Sequence, residues 1–293
     1  MHRSQFLKLM AATPLAAAAA LKISEFATAA ATFGGTERMP LIFVGHGHPM
    51  NALFDNAFTQ ALGKIGAGIQ RPNAIMVVSA HWHTRGTYVS LNPKPKTIYD
   101  FGPFDERLFQ IRYEPEGHPD LACDVISAAP DYQIKEDPNM GLDHGAWTVL
   151  RHIYPKADIP TFQMSIDYSR PPAYHYQLAS ALRKMRDKGV LVLSSGNIVH
   201  NLGILDWENI DAKPFDWALE FDALVKKHLD DRDFAALVNY PQFGKLAQMA
   251  IPTNDHYLPM LYTLGLAHPG EQLRYLYEGM QYGSISMRCF QIA

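Results

Sequence analysis

Short apolar runs alternate with amphipathic stretches along most of the chain. Residues 174–189 place apolar side chains at helical spacing and end on Gly189, and residues 216–233 carry a second such stripe. Strands that are apolar on both faces and alternate with helices are typical of a mainly parallel sheet covered on both sides. Apolar runs of strand length occupy residues 41–45, 74–80, 160–166 and 190–194.

This alternation predicts an α/β fold for residues 36–293. We expect a single catalytic domain with a central, mainly parallel or mixed sheet flanked by helices, because the sequence shows no internal repeat and no Ser/Gly linker. Apolar, β-prone segments flank a turn at residues 279–283, which predicts a terminal hairpin or edge strands over residues 273–292.

The first 35 residues differ from the rest in composition. They have a short basic start, an apolar stretch over residues 9–23 and small residues at 27–29, the layout of an export signal. The apolar stretch is too short and too rich in alanine for a good membrane span. We therefore expect residues 1–35 to be a leader and the protein to be exported, for example to the periplasm. A helix that caps a cytoplasmic domain is the alternative.

Composition excludes several classes of partner. The net charge is −3 and no basic stripe is present, so nucleic acid and anionic membrane surfaces are not expected to bind. No segment after the leader has the length of a transmembrane helix, so no membrane span is expected in the mature protein. Two cysteines, Cys123 and Cys289, cannot form a disulfide framework, and we expect both to be small buried apolar residues.

Three histidines follow predicted strands. His46 comes directly after residues 41–45, His81 directly after residues 74–80, and His200 shortly after residues 190–194. Ligands of open α/β sheets bind beyond the carboxyl ends of the strands, so parallel strands would bring these histidines to one edge. A single histidine at a strand end is usually a hydrogen-bonded turn residue, but three at one edge favour a metal site.

Two further histidines have distinctive surroundings. His144 lies in GLDHGAW, and His256 lies in the polar loop of IPTNDHYLPML. Imidazole ligands without paired thiolates suit zinc or iron. Zinc would activate water for hydrolysis, whereas ferrous iron would bind dioxygen together with a chelating substrate, and the residue types leave both open.

Several ordered motifs together resemble the class III extradiol ring-cleavage dioxygenases, in particular their 4,5-DOPA dioxygenase extradiol subgroup. The resemblance runs from about residue 39 to the carboxyl terminus. It rests on GHGHPMNAL, VVSAHWHTRG, TIYDFGPF, GLDHGAWTVL, IPTFQMSID, SSGNIVHNLG and NDHYLPMLYTLG.

The resemblance implies one divalent metal ion per chain, held by His46, His81 and His256. It implies Fe(II) for ring cleavage, with Zn(II) as the alternative bound form, and a small catechol and dioxygen as reactants in aromatic catabolism. His200 matches a histidine beside the metal that acts as acid and base and is a possible additional ligand. His144 matches a pocket histidine that contacts substrate or oxygen.

Weaker expectations concern the substrate side of the pocket. His48 stands where members of the family commonly have serine, and we expect it, Tyr99 and Asp100 to border the substrate. Phe101 and Phe104 offer further aromatic walls. The alternatives to a dioxygenase are a zinc-dependent hydrolase and a non-catalytic metal-binding protein on the same scaffold, because a fold does not fix a function.

Overall fold

A computed structural model describes residues 38–293 of this chain. The predicted leader, residues 1–35, lies outside the described residues. Among the residues that are described, no helix has the length and apolar character needed to cross a membrane.

An eight-stranded sheet forms the centre of the fold. The described strands are β1 (Leu41–Gly45), β2 (Ala74–Thr84), β3 (Tyr88–Ser90), β4 (Lys135–Asp137), β5 (Thr161–Asp167), β6 (Val190–Gly196), β7 (Leu273–Tyr277), β8 (Met280–Gln281), β9 (Ile285–Ser286) and β10 (Cys289–Ile292). The order in the sheet is β4-β3-β5-β2-β6-β1-β10-β7. Its middle strands β5, β2, β6 and β1 run parallel to one another. β3 pairs antiparallel with β5, β10 pairs antiparallel with β1 and with β7, and β4 runs parallel to β3. The sheet is therefore mixed with a parallel centre, as the sequence predicts.

Helices cover both faces of the sheet. The described α-helices are α1 (Ala57–Ala67), α2 (Pro119–Ala128), α3 (His144–Ile153), α4 (Pro172–Ala181), α5 (Asp216–Asp230), α6 (Phe234–Val238), α7 (Lys245–Ala250) and α8 (Leu258–Leu266). Leu41 and Phe43 of β1 belong to the core under α4, α5 and α8, whereas Ile42 and Val44 belong to the core under α1 and α3. Alternate residues of one strand point to opposite faces, so a strand buried on both sides must be apolar throughout.

One helix and one cysteine differ here from the sequence expectation. The single helix expected over residues 174–189 is divided, because α4 ends at Ala181 and a 3₁₀ helix, Arg183–Lys188, follows it. Gly189 ends that 3₁₀ helix with φ +77°, a conformation that glycine adopts without strain. Of the two cysteines, Cys289 is buried as expected, but Cys123 is exposed, so that part of the expectation was wrong.

The carboxyl-terminal strands close the sheet next to the first strand. β7 and β10 pair antiparallel, as expected for residues 273–292. The segment that connects them contains the short strands β8 and β9, which pair with each other. β10 in turn pairs with β1, so Leu41 lies opposite Ile292. β1, which ends directly before His46, is thereby hydrogen-bonded along both edges, to β6 and to β10.

Candidate metal centre and active site

The backbone at the end of β1 positions His46. β1 and β6 run in parallel register to Gly45 and Gly196, and the His46 N–H donates to the Gly196 carbonyl at 3.1 Å. A Cβ on Gly196 would lie 2.2 Å from the His256 carbonyl oxygen, so only glycine lets these two segments approach so closely. The same contact brings the loop of His256 against the strand end.

A bulge in β2 positions His81. The sequence suggested that the strand ends before His81, but β2 continues to Thr84. Between the pairs Val78–Met164 and His83–Ile166, β2 advances five residues while β5 advances two. The extra residues of a bulge change the direction in which side chains point, and here the His81 side chain points to the same edge of the sheet as His46.

The three predicted metal ligands converge at this edge. One ring nitrogen from each of His46, His81 and His256 lies within 4.8 Å of the other two. The Nε2 atoms of His46 and His81 are 3.0 Å apart. Two nitrogens that each lie about 2.1 Å from one ion at a right angle would be about 3.0 Å apart, so this spacing fits joint ligation.

Hydrogen bonds leave the His46 Nε2 free to ligate. The Ser195 hydroxyl donates to the Gly145 carbonyl at 2.6 Å, so it has no second proton to offer. His46 Nδ1, 3.0 Å from the same hydroxyl oxygen, must therefore be the donor. With the proton on Nδ1, the lone pair on Nε2 points toward the other two histidines, and such outer hydrogen bonds are how metal-binding histidines are usually oriented.

Carboxylates lie beside the other two histidines, and the one beside His256 is within hydrogen-bond distance. His256 Nδ1 lies 2.5 Å from Asp255 Oδ2, and His81 Nδ1 lies 3.8 Å from Asp100 Oδ2. Burial opposes ionisation of Asp255, but the hydrogen bond and charge of His256 hold its pKa below the ordinary value. An ionised acceptor on Nδ1 raises the basicity of the opposite nitrogen and so strengthens it as a ligand.

The two predicted catalytic histidines adjoin this centre. His200 stacks on His256 with ring centroids 3.5 Å apart and an interplanar angle of 7°. His144 is the first residue of α3, with its ring centroid 3.8 Å from that of His81. Its backbone N–H donates to Asp100 Oδ1 at 2.9 Å, and its Nδ1 lies 3.0 Å from Asp100 Oδ2 without the alignment of a hydrogen bond.

Burial keeps His46, His81 and His200 neutral. Loss of hydration, with the charges that neighbouring histidines would carry, holds the pKa of His46 and of His81 well below the ordinary value. The same causes lower the pKa of His200 to about 2. Neutral imidazole is the form that binds metal and the form that accepts a proton. The donor set, three imidazole nitrogens without a thiolate, fits iron or zinc.

A cavity of about 200 Å³ opens over these histidines. His48 lines it and packs against Phe104 with ring centroids 4.3 Å apart. Burial lowers the pKa of His48 to about 4. Phe101 and Phe104 line the cavity, whereas Tyr99 lies behind Phe101, with its hydroxyl bonded to the Ile111 carbonyl at 2.5 Å.

Sequence patterns did not single out every residue of the site. Asp100 was expected to border the substrate, but it lies beside His81 and His144 and is not among the described residues that line the cavity. Ser195 was missed, although its place just before Gly196 at a strand end is a signal that could have found it. Leu202 and Trp207 also line the cavity; Leu202 lies within the SSGNIVHNLG motif without having been singled out, and no sequence pattern marked Trp207.

Comparisons with known proteins identify the family. Residues 40–288 match the family described as the catalytic LigB subunit of aromatic ring-opening dioxygenase. The chain is 42% identical over 261 residues to the 4,5-DOPA dioxygenase extradiol of Escherichia coli (strain K12), covering 87% of this chain and 95% of that protein. It is 31% identical to the Beta vulgaris protein of the same name, over 83% of this chain and 94% of the relative.

A solved structure shows the same fold. The crystal structure of an uncharacterized Escherichia coli K12 protein superposes with a TM-score of 0.77 at 40% identity, covering 87% of this chain and all of that one. The chain belongs to the LigB family of aromatic ring-opening dioxygenases. The resemblance to class III extradiol dioxygenases, and the expectation of an extradiol ring-opening enzyme with an α/β fold, are thereby confirmed.

Proposed function

We propose that this enzyme uses one non-haem Fe(II) to cleave the ring of a catechol beside its two hydroxyl groups, with dioxygen as co-substrate. The observation that carries the proposal is the convergence of His46, His81 and His256, with His200 and His144 on the same cavity. The names of the relatives support extradiol cleavage by proteins of this kind.

His46, His81 and His256 would hold the ion through the nitrogens that face one another. Bound Fe(II) would supply the electron transfer between a catecholate and dioxygen that side chains lack. The hydroxyl of Ser195 and the carboxylate of Asp255 fix two of the three rings, so these ligands do not have to reorganise when substrate binds.

His200 is placed to accept a catechol proton. Its ring lines the cavity and is stacked on His256, so it lies beside the proposed ion without needing to bind it. Burial disfavours the imidazolium, so His200 begins in the neutral form with a free nitrogen lone pair. An anionic catecholate oxygen next to the ring would favour the protonated form, because opposite charges stabilise each other in a dry site.

His144 is placed to stabilise negative charge that develops on oxygen. It lines the cavity at the amino end of α3, with the Asp100 carboxylate 3.0 Å from its Nδ1. A proton on Nδ1 would face that carboxylate, and one on Nε2 would be available to the reacting oxygen. A neutral or charged donor aimed at developing charge stabilises the transition state.

Oxygen uptake with defined metals tests the proposal. Protein prepared without metal is loaded anaerobically with Fe(II) or with Zn(II), and oxygen consumption is followed after catechol is added. We expect uptake with Fe(II), a yellow ring-opened product and no uptake with Zn(II). His256→Ala should lose both metal binding and oxygen uptake. His228→Ala should keep both, because His228 lies on α5 and pairs there with Asp233, which follows that helix.

Either of two results would overturn the proposal. The Fe(II) protein could leave oxygen unchanged with every catechol of a broad panel, or His256→Ala could bind metal as tightly as the unaltered chain. Hydrolytic turnover by the Zn(II) form alone would instead support the hydrolase alternative.

A further inference from the structure

The wall of the active-site cavity lacks formal charge. Apart from the five histidines of the centre, the described side chains that line it are aromatic, aliphatic or imidazole. No Lys, Arg, Asp or Glu is among these described lining residues. Beyond glycine and proline they are His48, Phe101, Phe104, Leu202, Trp207 and Ile285.

His48 is neutral in this arrangement. Its Nδ1 accepts the Met50 N–H at 3.1 Å, which requires that nitrogen to carry a lone pair rather than a proton. The ring also packs among Phe104, Tyr282 and Trp207, at centroid distances of 4.3, 5.6 and 6.3 Å. His48 therefore belongs to an aromatic wall and offers no positive charge for a carboxylate.

Exposed apolar side chains extend this wall to the mouth of the cavity. Phe104, Leu202 and Trp207 line the cavity, yet they are 47%, 47% and 53% exposed to solvent. Large apolar side chains that stand together in solvent at the mouth of a pocket usually mark a place where an apolar ligand binds. Covering them would remove apolar surface from water and favour binding.

Charged side chains near the rim do not enter the wall. Asp105 and Arg107, next to Phe104 in sequence, pair with each other at 2.7 Å. Asp206 and Glu208 flank Trp207 but are exposed and do not line the cavity. A charged substituent that left water for this wall would lose hydration without gaining an oppositely charged partner, which is costly.

We infer that the preferred substrate is a catechol whose ring carries an uncharged, apolar substituent long enough to reach Phe104, Leu202 and Trp207. The inference rests on the proposed catechol cleavage and adds the chemical class of the substituent. DOPA, which appears in the names of the relatives, carries an ammonium and a carboxylate, and this wall offers neither of them an oppositely charged partner.

A matched set of substrates tests the inference on the Fe(II) enzyme. The set is catechol, 4-propylcatechol, 3-(3,4-dihydroxyphenyl)propionate, dopamine and L-DOPA. We expect kcat/KM for 4-propylcatechol to exceed that for each charged compound at least about tenfold, because the substituents are alike in length and differ in charge. The inference is wrong if any charged compound matches or exceeds 4-propylcatechol. If none of the five compounds is cleaved, the proposed function fails and the inference fails with it.

Rim variants show where the substituent binds. Leu202→Ala and Trp207→Ala should lower kcat/KM for 4-propylcatechol about tenfold and that for catechol less than about twofold. Leu219→Ala is the matched control, because Leu219 is also 47% exposed but lies on α5 outside the cavity lining. Equal losses for catechol and 4-propylcatechol in the rim variants would overturn the placement of the substituent.

Discussion

Replacing Asp255 by asparagine should weaken metal binding about tenfold while leaving the fold intact. Asp255 Oδ2 accepts the His256 Nδ1–H at 2.5 Å, and the His256 side chain is almost fully buried. An asparagine oxygen can occupy the same place and accept the same proton. The substitution therefore removes the negative charge and keeps the orientation of the ring.

The magnitude follows from the change of acceptor. A hydrogen bond to an ionised group contributes about 1.5–3 kcal/mol, and one between neutral groups about 0.5–1.5 kcal/mol. The difference of about 1.4 kcal/mol corresponds to about a tenfold change in affinity. This agrees with the lower part of the ~10–100-fold loss that follows removal of groups that orient metal-binding histidines.

Competition with a chromophoric chelator under anaerobic conditions would measure the dissociation constants for Fe(II) and Zn(II). Asp131→Asn, at an exposed aspartate outside the site, is the matched control and should leave both constants unchanged. The reasoning is refuted if Asp255→Asn binds both ions within twofold of the unaltered chain. A fall in the thermal midpoint without metal would mean that Asp255 stabilises the fold instead.

Three further predictions concern catalysis, stability and export. His200→Gln should lower kcat about 10²–10⁴-fold, as measured by oxygen uptake, while metal content stays unchanged, because His200 would move a proton and the three other histidines would hold the ion. Burial and the charge of Asp100 raise the pKa of Asp143 to about 6 in the folded chain, so the folded state binds more protons than the unfolded state between about pH 4 and 6. Stability should fall by up to about 3 kcal/mol as pH rises through that window, and Asp143→Asn should remove this loss in denaturant titrations. We also expect the leader to be cleaved at residues 27–29, which mass spectrometry of the exported protein would show.

Each of these predictions has a result that contradicts it. Full oxygen uptake by His200→Gln would exclude a proton-transfer role for this ring. A pH dependence of Asp143→Asn that parallels the unaltered chain from pH 4 to 6 would show that Asp143 does not titrate there. Retention of residues 1–26 on protein recovered from the cytoplasm would favour the cytoplasmic alternative.

The sequence predicts the parallel core and the edge where the site lies, because both depend on local patterns. Strands that are apolar on both faces are visible as runs, and His46 follows such a run directly. The sequence also predicts His81 as a site residue, but it does not predict the direction of the His81 side chain. That direction depends on a bulge in the pairing of β2 with β5. Register is a property of two strands and cannot be read from one.

Contacts between distant segments account for what the sequence does not predict. The tautomer of His46 depends on Ser195 and Gly145, which meet only when α3 packs against the ends of β1 and β6. Tyr99 and Phe101 are both aromatic and lie two residues apart, yet Phe101 lines the cavity and Tyr99 packs behind it. Their loop has no periodic pattern from which to infer which ring faces inward.

The pairing of β1 with β10 sets the order in which the enzyme can assemble during synthesis. Leu41 leaves the ribosome early, but its partner Ile292 belongs to the last strand, and His256 also comes late. Until then β1 has an unpaired edge and His46 lacks a neighbour that the site requires. Pairings between distant parts of a chain form slowly, and the intermediates that precede them expose edges to aggregation. The edge of β1 therefore stays without its partner until β10 has emerged, and the set of three histidines is complete only after the segment of His256 has folded against β1 and β6.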